Sequence, residues 1–191
     1  MIETHPLQPF IPEGAVLLML GSFPPQQMRW SMDFYYPNWQ NDMWRIFGLI
    51  FFEDKAHFCV PGFRQYKKED IEAFLTEKRI ALSDTAAEVI RHEGNASDKN
   101  LEVVESVDLK ALLDAMPDCR AIAVTGQKAL ETIMPLVGVT EAPAIGFGKD
   151  FEWEGRKMRL YRMPSTSRAY PKPIEEKAVY YWRMFNDVLG K

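Results

Sequence analysis

The chain alternates between short, unbroken apolar runs and longer stretches in which apolar residues recur every three or four positions. The runs Val16 to Leu20, Arg79 to Asp84, Arg120 to Val124 and Met158 to Met163 are of the first kind and predict strands. The second kind predicts helices over Asn41 to Phe47, Lys68 to Leu75, Asp108 to Met116, the segment that begins at Gly126, and Ile174 to Leu189. Their inward stripes are Trp44, Phe47 and Phe51; Ile71, Phe74 and Leu75; Leu109, Leu112, Leu113 and Met116; and Ala129, Leu130, Ile133 and Met134. For the last helix the stripe is Val179, Trp182, Phe185 and Leu189 or their near neighbours. Ala86 to Ile90 reads as a further helix that Asp84 would cap. A turn near Gly155 marks an antiparallel excursion before the last strand. Residues 1–15, punctuated by Pro6, Pro9 and Pro12, read as an extended arm without an assigned role. Strands alternating with helices over residues 1–191 predict one domain of the α/β class, a three-layer α/β/α sandwich with a mainly parallel central sheet.

In such sheets ligands gather at the carboxyl ends of strands, which draws attention to two strand-to-loop junctions. The first strand stops at Gly21-Ser22-Phe23-Pro24-Pro25, and the loop beyond presents Phe34, Tyr35, Tyr36 and Trp39 together with the amides Asn38 and Asn41. Glycine lets the backbone turn or admit a ligand closely, and the prolines stiffen the exit. Flat rings with amide hydrogen bonds suit a nucleobase, although rings of this kind also serve as lids on a core. The last strand runs into Pro164-Ser165-Thr166-Ser167-Arg168-Ala169-Tyr170, a hydroxyl-rich loop that could form the second wall of one cleft. Asn41, at a helix start, could either cap backbone N–H groups or face that cleft.

Composition narrows the chemistry. With 191 residues, 47% of them apolar, the chain is long enough for one well-buried domain, and 13% aromatic leaves rings to spare for a ligand. A formal net charge of -4 argues against binding nucleic acid through a general basic surface, but not against local phosphate contacts. Arg29, Arg45, Arg162 and Arg168, near the two junctions, are the candidates. Cys59 and Cys119 lie far apart and His5, His57 and His92 show no metal-ligand spacing, so reduced thiols and no metal are expected. The strand-Gly126-helix junction lacks the repeated glycines of a dinucleotide loop and the lysine of a P-loop, so no cofactor is expected. No targeting segment or membrane-length apolar run is present in the sequence given, so a cytoplasmic protein with no membrane partner, favoured as a monomer, is expected.

Gly21-Ser22-Phe23-Pro24, followed by Tyr35-Tyr36 and Asn41-Asp42-Met43-Trp44, resembles the first motif of the uracil-DNA glycosylase superfamily, nearest its mismatch-specific and hypoxanthine-DNA glycosylase branches. Met163-Pro164-Ser165-Thr166-Ser167 resembles their second motif, and with Ala121 to Gly126 as a third matching strand the resemblance extends from about residue 16 to 189. It implies a glycosylase that extrudes a deaminated or mismatched base of the uracil or hypoxanthine class from DNA and hydrolyses its N-glycosidic bond. It also implies base contacts by Gly21, Phe23, Tyr35 and Tyr36, with Tyr36 stacking on the base. Pro164, Ser165, Thr166, Ser167, Arg168 and Tyr170 would contact DNA. Many superfamily members carry Asn or Asp directly after the first-motif glycine, where this chain has Ser22. The hypoxanthine branch likewise has Ser there and an Asn further along that matches Asn41, which makes Asn41 the first catalytic candidate, with Ser22 and Asn38 beside it. Asn38 stands where those branches usually have His, and Arg168 and Tyr170 replace their usual Pro and Asn. The resemblance gives Asp84 an alternative role near the site, and likens Gly94-Asn95-Ala96-Ser97-Asp98 to a Gly-Ser-x-Asp loop. Two other functions stay open: a nucleic-acid-binding protein of this fold without glycosylase chemistry, and an enzyme acting on a free nucleoside or nucleotide.

Overall fold

The computed structural model describes residues 1–92 and 97–190. In chain order its strands are β1 (Ile2–Thr4), β2 (Leu17–Gly21), β3 (Ile80–Asp84), β4 (Ala86–Arg91), β5 (Leu101–Ser106), β6 (Ala121–Thr125), β7 (Gly148–Trp153) and β8 (Arg156–Met163). Its α-helices are α1 (Met43–Phe52), α2 (Lys68–Lys78), α3 (Leu109–Asp114), α4 (Gln127–Val137) and α5 (Ile174–Leu189).

The central sheet has the order β3-β2-β6-β8-β7, with the first four strands parallel and β7 antiparallel at one edge. Every residue of β2, β3 and β6 is buried, as strands covered on both faces require, and this explains why their sequences are unbroken apolar runs. Successive side chains go to opposite layers. Leu17, Met19, Ala121, Ala123 and Tyr161 join α1, α2 and α5, whereas Leu18, Leu20, Ile122, Val124 and Leu160 join α3 and α4. The first layer is the aromatic one: Phe47 lies 5.1 Å from Phe185 and 5.2 Å from Trp44, ring centre to ring centre. The predicted excursion is the β7–β8 hairpin, whose two-residue turn puts Glu154 and Gly155 at positive φ, 47° and 81°.

Three expectations are corrected. Ala86 to Ile90 is not a helix but most of β4, which pairs antiparallel with both β1 and β5 in a second, three-stranded sheet. Val89 packs with Ala86, Leu101 and Phe23, so cross-strand burial of a β-branched residue outweighs the helical spacing, and Asp84 caps nothing. The first residues are not a free arm: Ile2–Thr4 is an edge strand on β4, and Phe10 exchanges backbone hydrogen bonds with Leu82. The last helix is rotated. Val179 and Trp182 are each 48% exposed, and Ala178, Tyr181, Phe185 and Val188 face inward.

Lys177 accounts for that rotation. It is fully buried, and its Nζ lies 3.2 Å from Asp42 Oδ2 and donates to the Ser167 carbonyl at 3.1 Å. A hydrophobic pattern counts lysine as outward; here its ionic partner draws it in. Lys177→Ala would strand the Asp42 carboxylate, so chemical denaturation should show a loss of about 3–5 kcal/mol. The double variant Lys177→Met with Asp42→Asn, which removes both charges, should lose less.

Candidate active site

All four parallel strands end on one cleft. Gly21 ends β2, Asp84 ends β3, Thr125 ends β6, and Ser165 follows the end of β8; each lines a cavity of about 340 Å³. The two loops singled out in the sequence form its walls, Gly21 to Pro25 with Tyr35 to Asn38, Gln40 and Asn41 in one and Ser165 to Ala169 in the other.

Close packing at the strand ends explains the glycine. A Cβ on Gly21 would stand 2.6 Å from Asp84 Oδ1 and 3.3 Å from the Tyr36 hydroxyl, so only a hydrogen at this position lets both groups reach the sheet edge. Tyr36 meets the same constraint with its backbone, which is left-handed at φ 51°. For a tyrosine this conformation carries local strain, and it is held because the Tyr36 hydroxyl shares a 2.9 Å hydrogen bond with Thr125 Oγ1 and the ring packs edge-on to Trp44. Burial pushes the Tyr36 hydroxyl well above its ordinary pKa and the nearby Asp84 charge adds to this, so the hydroxyl stays neutral. Tyr35 turns the other way. Its ring is buried and its hydroxyl donates to the Gln8 carbonyl at 2.9 Å, which ties the N-terminal segment to the wall.

Beyond Tyr36 the loop is fixed by carbonyl hydrogen bonds. The Tyr66 hydroxyl donates to the Trp39 and Asn41 carbonyls at 2.9 and 2.8 Å, and Arg45 Nη1 donates to the same two. Asn41 Oδ1 accepts the Met43 N–H at 2.9 Å, and Asn38 Oδ1 accepts the Gln40 N–H at 3.0 Å. Asn41 therefore caps the start of α1 while also lining the cleft.

The second wall is stitched to the first. Thr166 is buried and its carbonyl accepts the Asp42 N–H at 2.9 Å, next to the Lys177–Asp42 ion pair. Ser165 Oγ accepts the Ser167 N–H and Ser167 Oγ the Ala169 N–H, each at 3.2 Å, so two successive hydroxyl turns shape the loop. Arg168 is half exposed, with Nε 3.6 Å from Asp42 Oδ1.

Among the described residues two carboxylates line the cleft, Asp84 and Asp98. Asp84 Oδ2 lies 2.7 Å from His5 Nε2, and the His5 ring meets Phe23 edge-on and stacks on Tyr35. Burial alone would lower the His5 pKa, but the hydrogen bond and charge of Asp84 outweigh it and leave it above 6.5. Asp98 Oδ1 accepts the Ser22 hydroxyl at 2.8 Å. Arg91, its side chain 3% exposed, closes this end by binding the Glu3 carboxylate at 3.2 Å and the Pro24 carbonyl at 3.1 Å.

Of the residues read from the sequence, the cleft gathers Gly21, Ser22, Phe23, Tyr35, Tyr36, Asn38, Asn41, Ser165, Thr166, Ser167 and Arg168. Pro164 and Tyr170 do not line it. Pro164 is buried and its carbonyl accepts the Tyr181 hydroxyl, while Tyr170 sits on a neighbouring groove with Lys177 Nζ 5.7 Å from its ring. Phe34 is a core residue, and Trp39 packs on Tyr66 and Arg45 rather than facing the cleft. Arg45 and Arg162 are committed to carbonyl and side-chain acceptors of their own chain; Arg29 and Arg168 are the phosphate candidates that line the cleft. In the loop likened to Gly-Ser-x-Asp, residues 94–96 lie outside the described residues, whereas Ser97 and Asp98 line the cleft. His5, Arg91 and Thr125 were not read from the sequence. Thr125 carried a signal, its place at the end of a buried strand before Gly126, but the His5 and Arg91 contacts join residues about eighty positions apart. Among the described residues no cluster of His, Cys, Asp and Glu could hold a metal ion, and no helix is long and apolar enough to cross a membrane.

Sheet, layers and cleft define an α/β protein with a cleft at the carboxyl ends of its parallel strands, the place where ligands gather in such folds. No family model matches the sequence, and no curated protein matches it. Among solved structures the chain is similar to one determined in solution by nuclear magnetic resonance and described as a "putative Uracil DNA glycosylase from Methanosarcina acetivorans". The two share 25% of residues with a TM-score of 0.64, over 97% of this chain and 99% of that one. The fold, a mixed α/β arrangement with a mainly parallel central sheet, matches that of this neighbour.

The His5–Asp84 pair gives a pH test. Because the folded pKa of His5 lies above 6.5, its stabilisation is complete below that value and is lost as pH rises through the folded value. The stability difference between the wild type and His5→Gln in urea should therefore be largest below pH 6.5 and shrink as pH rises through the folded value. A difference that stays constant would mean that the ring contributes packing alone.

Proposed function

We propose that the protein is a DNA glycosylase that extrudes a deaminated or mismatched base of the uracil or hypoxanthine class and hydrolyses its N-glycosidic bond. The observation that carries this reading is the cleft itself. It is of nucleobase scale, stands at the carboxyl ends of all four parallel strands, and has a tyrosine-bearing wall and a hydroxyl-rich wall, in a fold shared with a protein described as a "putative Uracil DNA glycosylase". Extrusion costs about a few kcal/mol in lost stacking and pairing, which contacts inside such a pocket must repay. Tyr36 offers the ring for stacking. Phe23 and Tyr35 line the same cleft, and Gly21 permits close approach. Ser165, Thr166 and Ser167, with Arg168 and Arg29, suit the phosphates flanking the extruded nucleotide.

Asn41 is the proposed water-orienting group, with Asn38 and Ser22 beside it. Its Oδ1 already accepts the Met43 N–H, so capping and catalysis make separate demands on one side chain. The two are separable by measurement. Asn41→Ala should lower the single-turnover cleavage rate by roughly a hundredfold, about 2.7 kcal/mol, with oligonucleotide affinity nearly unchanged. A pure cap would instead cost about 1 kcal/mol of stability with the rate intact.

The direct test is a panel of end-labelled duplexes bearing uracil, hypoxanthine, xanthine or a thymine mismatch, treated with alkali after incubation to reveal abasic sites. At least one of the panel should be cleaved. Affinity should fall steeply with salt and favour single strands or weakened pairs, because the contacts are mainly to phosphates and extrusion costs less there. An inactive protein that still binds oligonucleotides would support the binding-protein alternative, and binding of a free nucleoside with no oligonucleotide binding would support the small-molecule one.

A further inference from the structure

We propose that Asp98 is the catalytic carboxylate that takes the proton of the attacking water, with Ser22 as the residue that positions it. The inference rests on the glycosylase reading and assigns a general base that the two strand-end motifs do not contain.

The argument begins from what hydrolysis needs. The C1′–N bond breaks with its electron pair leaving on the base, the water oxygen bonds to C1′, and one water proton must pass to an acceptor in the cleft. The departing base anion then takes up a proton from solvent, and the acceptor later returns its own to solvent. Hydroxyls and amides can orient water but are poor proton acceptors, so a carboxylate is needed. Among the described lining residues these are Asp84 and Asp98. Asp84 is occupied by His5 at 2.7 Å and by the tight packing against Gly21, which suits a structural anchor at the sheet edge.

Asp98 is placed differently. It comes from outside both motifs and meets the first of them at Ser22, whose hydroxyl donates to Oδ1 at 2.8 Å. The carboxylate is thus brought to the residue directly after Gly21, and fixing one oxygen restricts rotation of the group. A serine there cannot itself accept the proton, but it can hold an acid that does. The same carboxylate is suited to stabilise the positive charge that develops on the sugar.

The groups facing Asp98 set its titration. Burial raises its pKa above 3.8, the Ser22 hydrogen bond lowers it again, and the Asp84 charge raises it; Lys128 and Arg91 oppose that rise. Tyr36 also lies within reach of its charge, and His5 bears on it through Asp84. A base whose pKa is raised accepts a proton more readily, and its rate must climb as pH rises and the carboxylate forms.

Single-turnover rates of wild type, Asp98→Asn and Ser22→Ala across pH test this, on whichever base the panel identifies. Asp98→Asn should slow cleavage by about a hundredfold or more and abolish the ascending limb, with oligonucleotide affinity and unfolding midpoint retained. Ser22→Ala should move the limb to higher pH, because the lost hydrogen bond no longer favours the carboxylate; the Asp98 carboxyl carbon, followed by nuclear magnetic resonance, should titrate upward with it. A rate loss in Asp98→Asn that keeps the wild-type limb, or a Ser22→Ala protein whose limb and carboxyl titration do not move, would overturn the assignment. An active wild type with an indifferent Asp98→Asn would remove this inference and leave the glycosylase reading standing. A wild type inactive on every base would remove both.

Discussion

A buried ammonium–carboxylate pair fixes how the two walls of the cleft meet. Taking both charges out of water costs several kcal/mol per ion, and the cost is recovered only where geometry is close and further hydrogen bonds are made. Lys177 meets that condition by binding the Asp42 carboxylate and the Ser167 carbonyl together, while the Asp42 N–H binds the Thr166 carbonyl. The second loop is therefore part of what satisfies the buried charges. It cannot move away from the start of α1 without costing the buried Lys177 ammonium and the Asp42 N–H a hydrogen bond each. The same pair sets the rotation of α5, so a core decision and a site decision are one.

The opposite side of the cleft follows a different logic. There the constraint is space: Gly21 leaves room for Asp84 and Tyr36, and Tyr36 accepts a left-handed backbone so that its hydroxyl can reach Thr125. The N-terminal segment completes this side, since Glu3, His5 and the Gln8 carbonyl hold Arg91, Asp84 and Tyr35 in turn. Strain and close contact gathered at one end of an otherwise regular sheet are what a preorganised binding site requires. The acidic net charge is compatible with such a site, because Arg29 and Arg168 stand at the cleft while Arg45, Arg91 and Arg162 are held within the protein.

The central sheet was readable because its strands are buried on both faces and so lack polar interruption. Helices α1 to α4 were readable because each buries one stripe of apolar residues that recur every three or four positions. β4 was misread because Ala86 to Ile90 fits either period, and only its distant partners at Ile2–Thr4 and Leu101–Ser106 decide between them. The face of α5 was left open between near neighbours because an ion pair overrides the rule that lysine faces water. At the site, the aromatic and hydroxyl walls were legible as strand-end loops, and the resemblance pointed to Asp84 and to the loop that ends in Asp98, but not to the partners of these carboxylates. Ser22 with Asp98, and His5 with Asp84, are pairs made by the fold, across about eighty residues each, with no local pattern to announce them.

The central claim is that this cleft receives an extruded nucleotide. A crystal structure with an oligonucleotide carrying a 2′-fluorinated target nucleotide, whose glycosidic bond resists hydrolysis, tests it most directly. The account predicts the base out of the helix, against the Tyr36 ring, with its sugar beside Asp98 and flanking phosphates on Ser165 to Arg168. A target base that stays stacked in the duplex, or that lodges in the groove beside Trp39 and Tyr170, would contradict it.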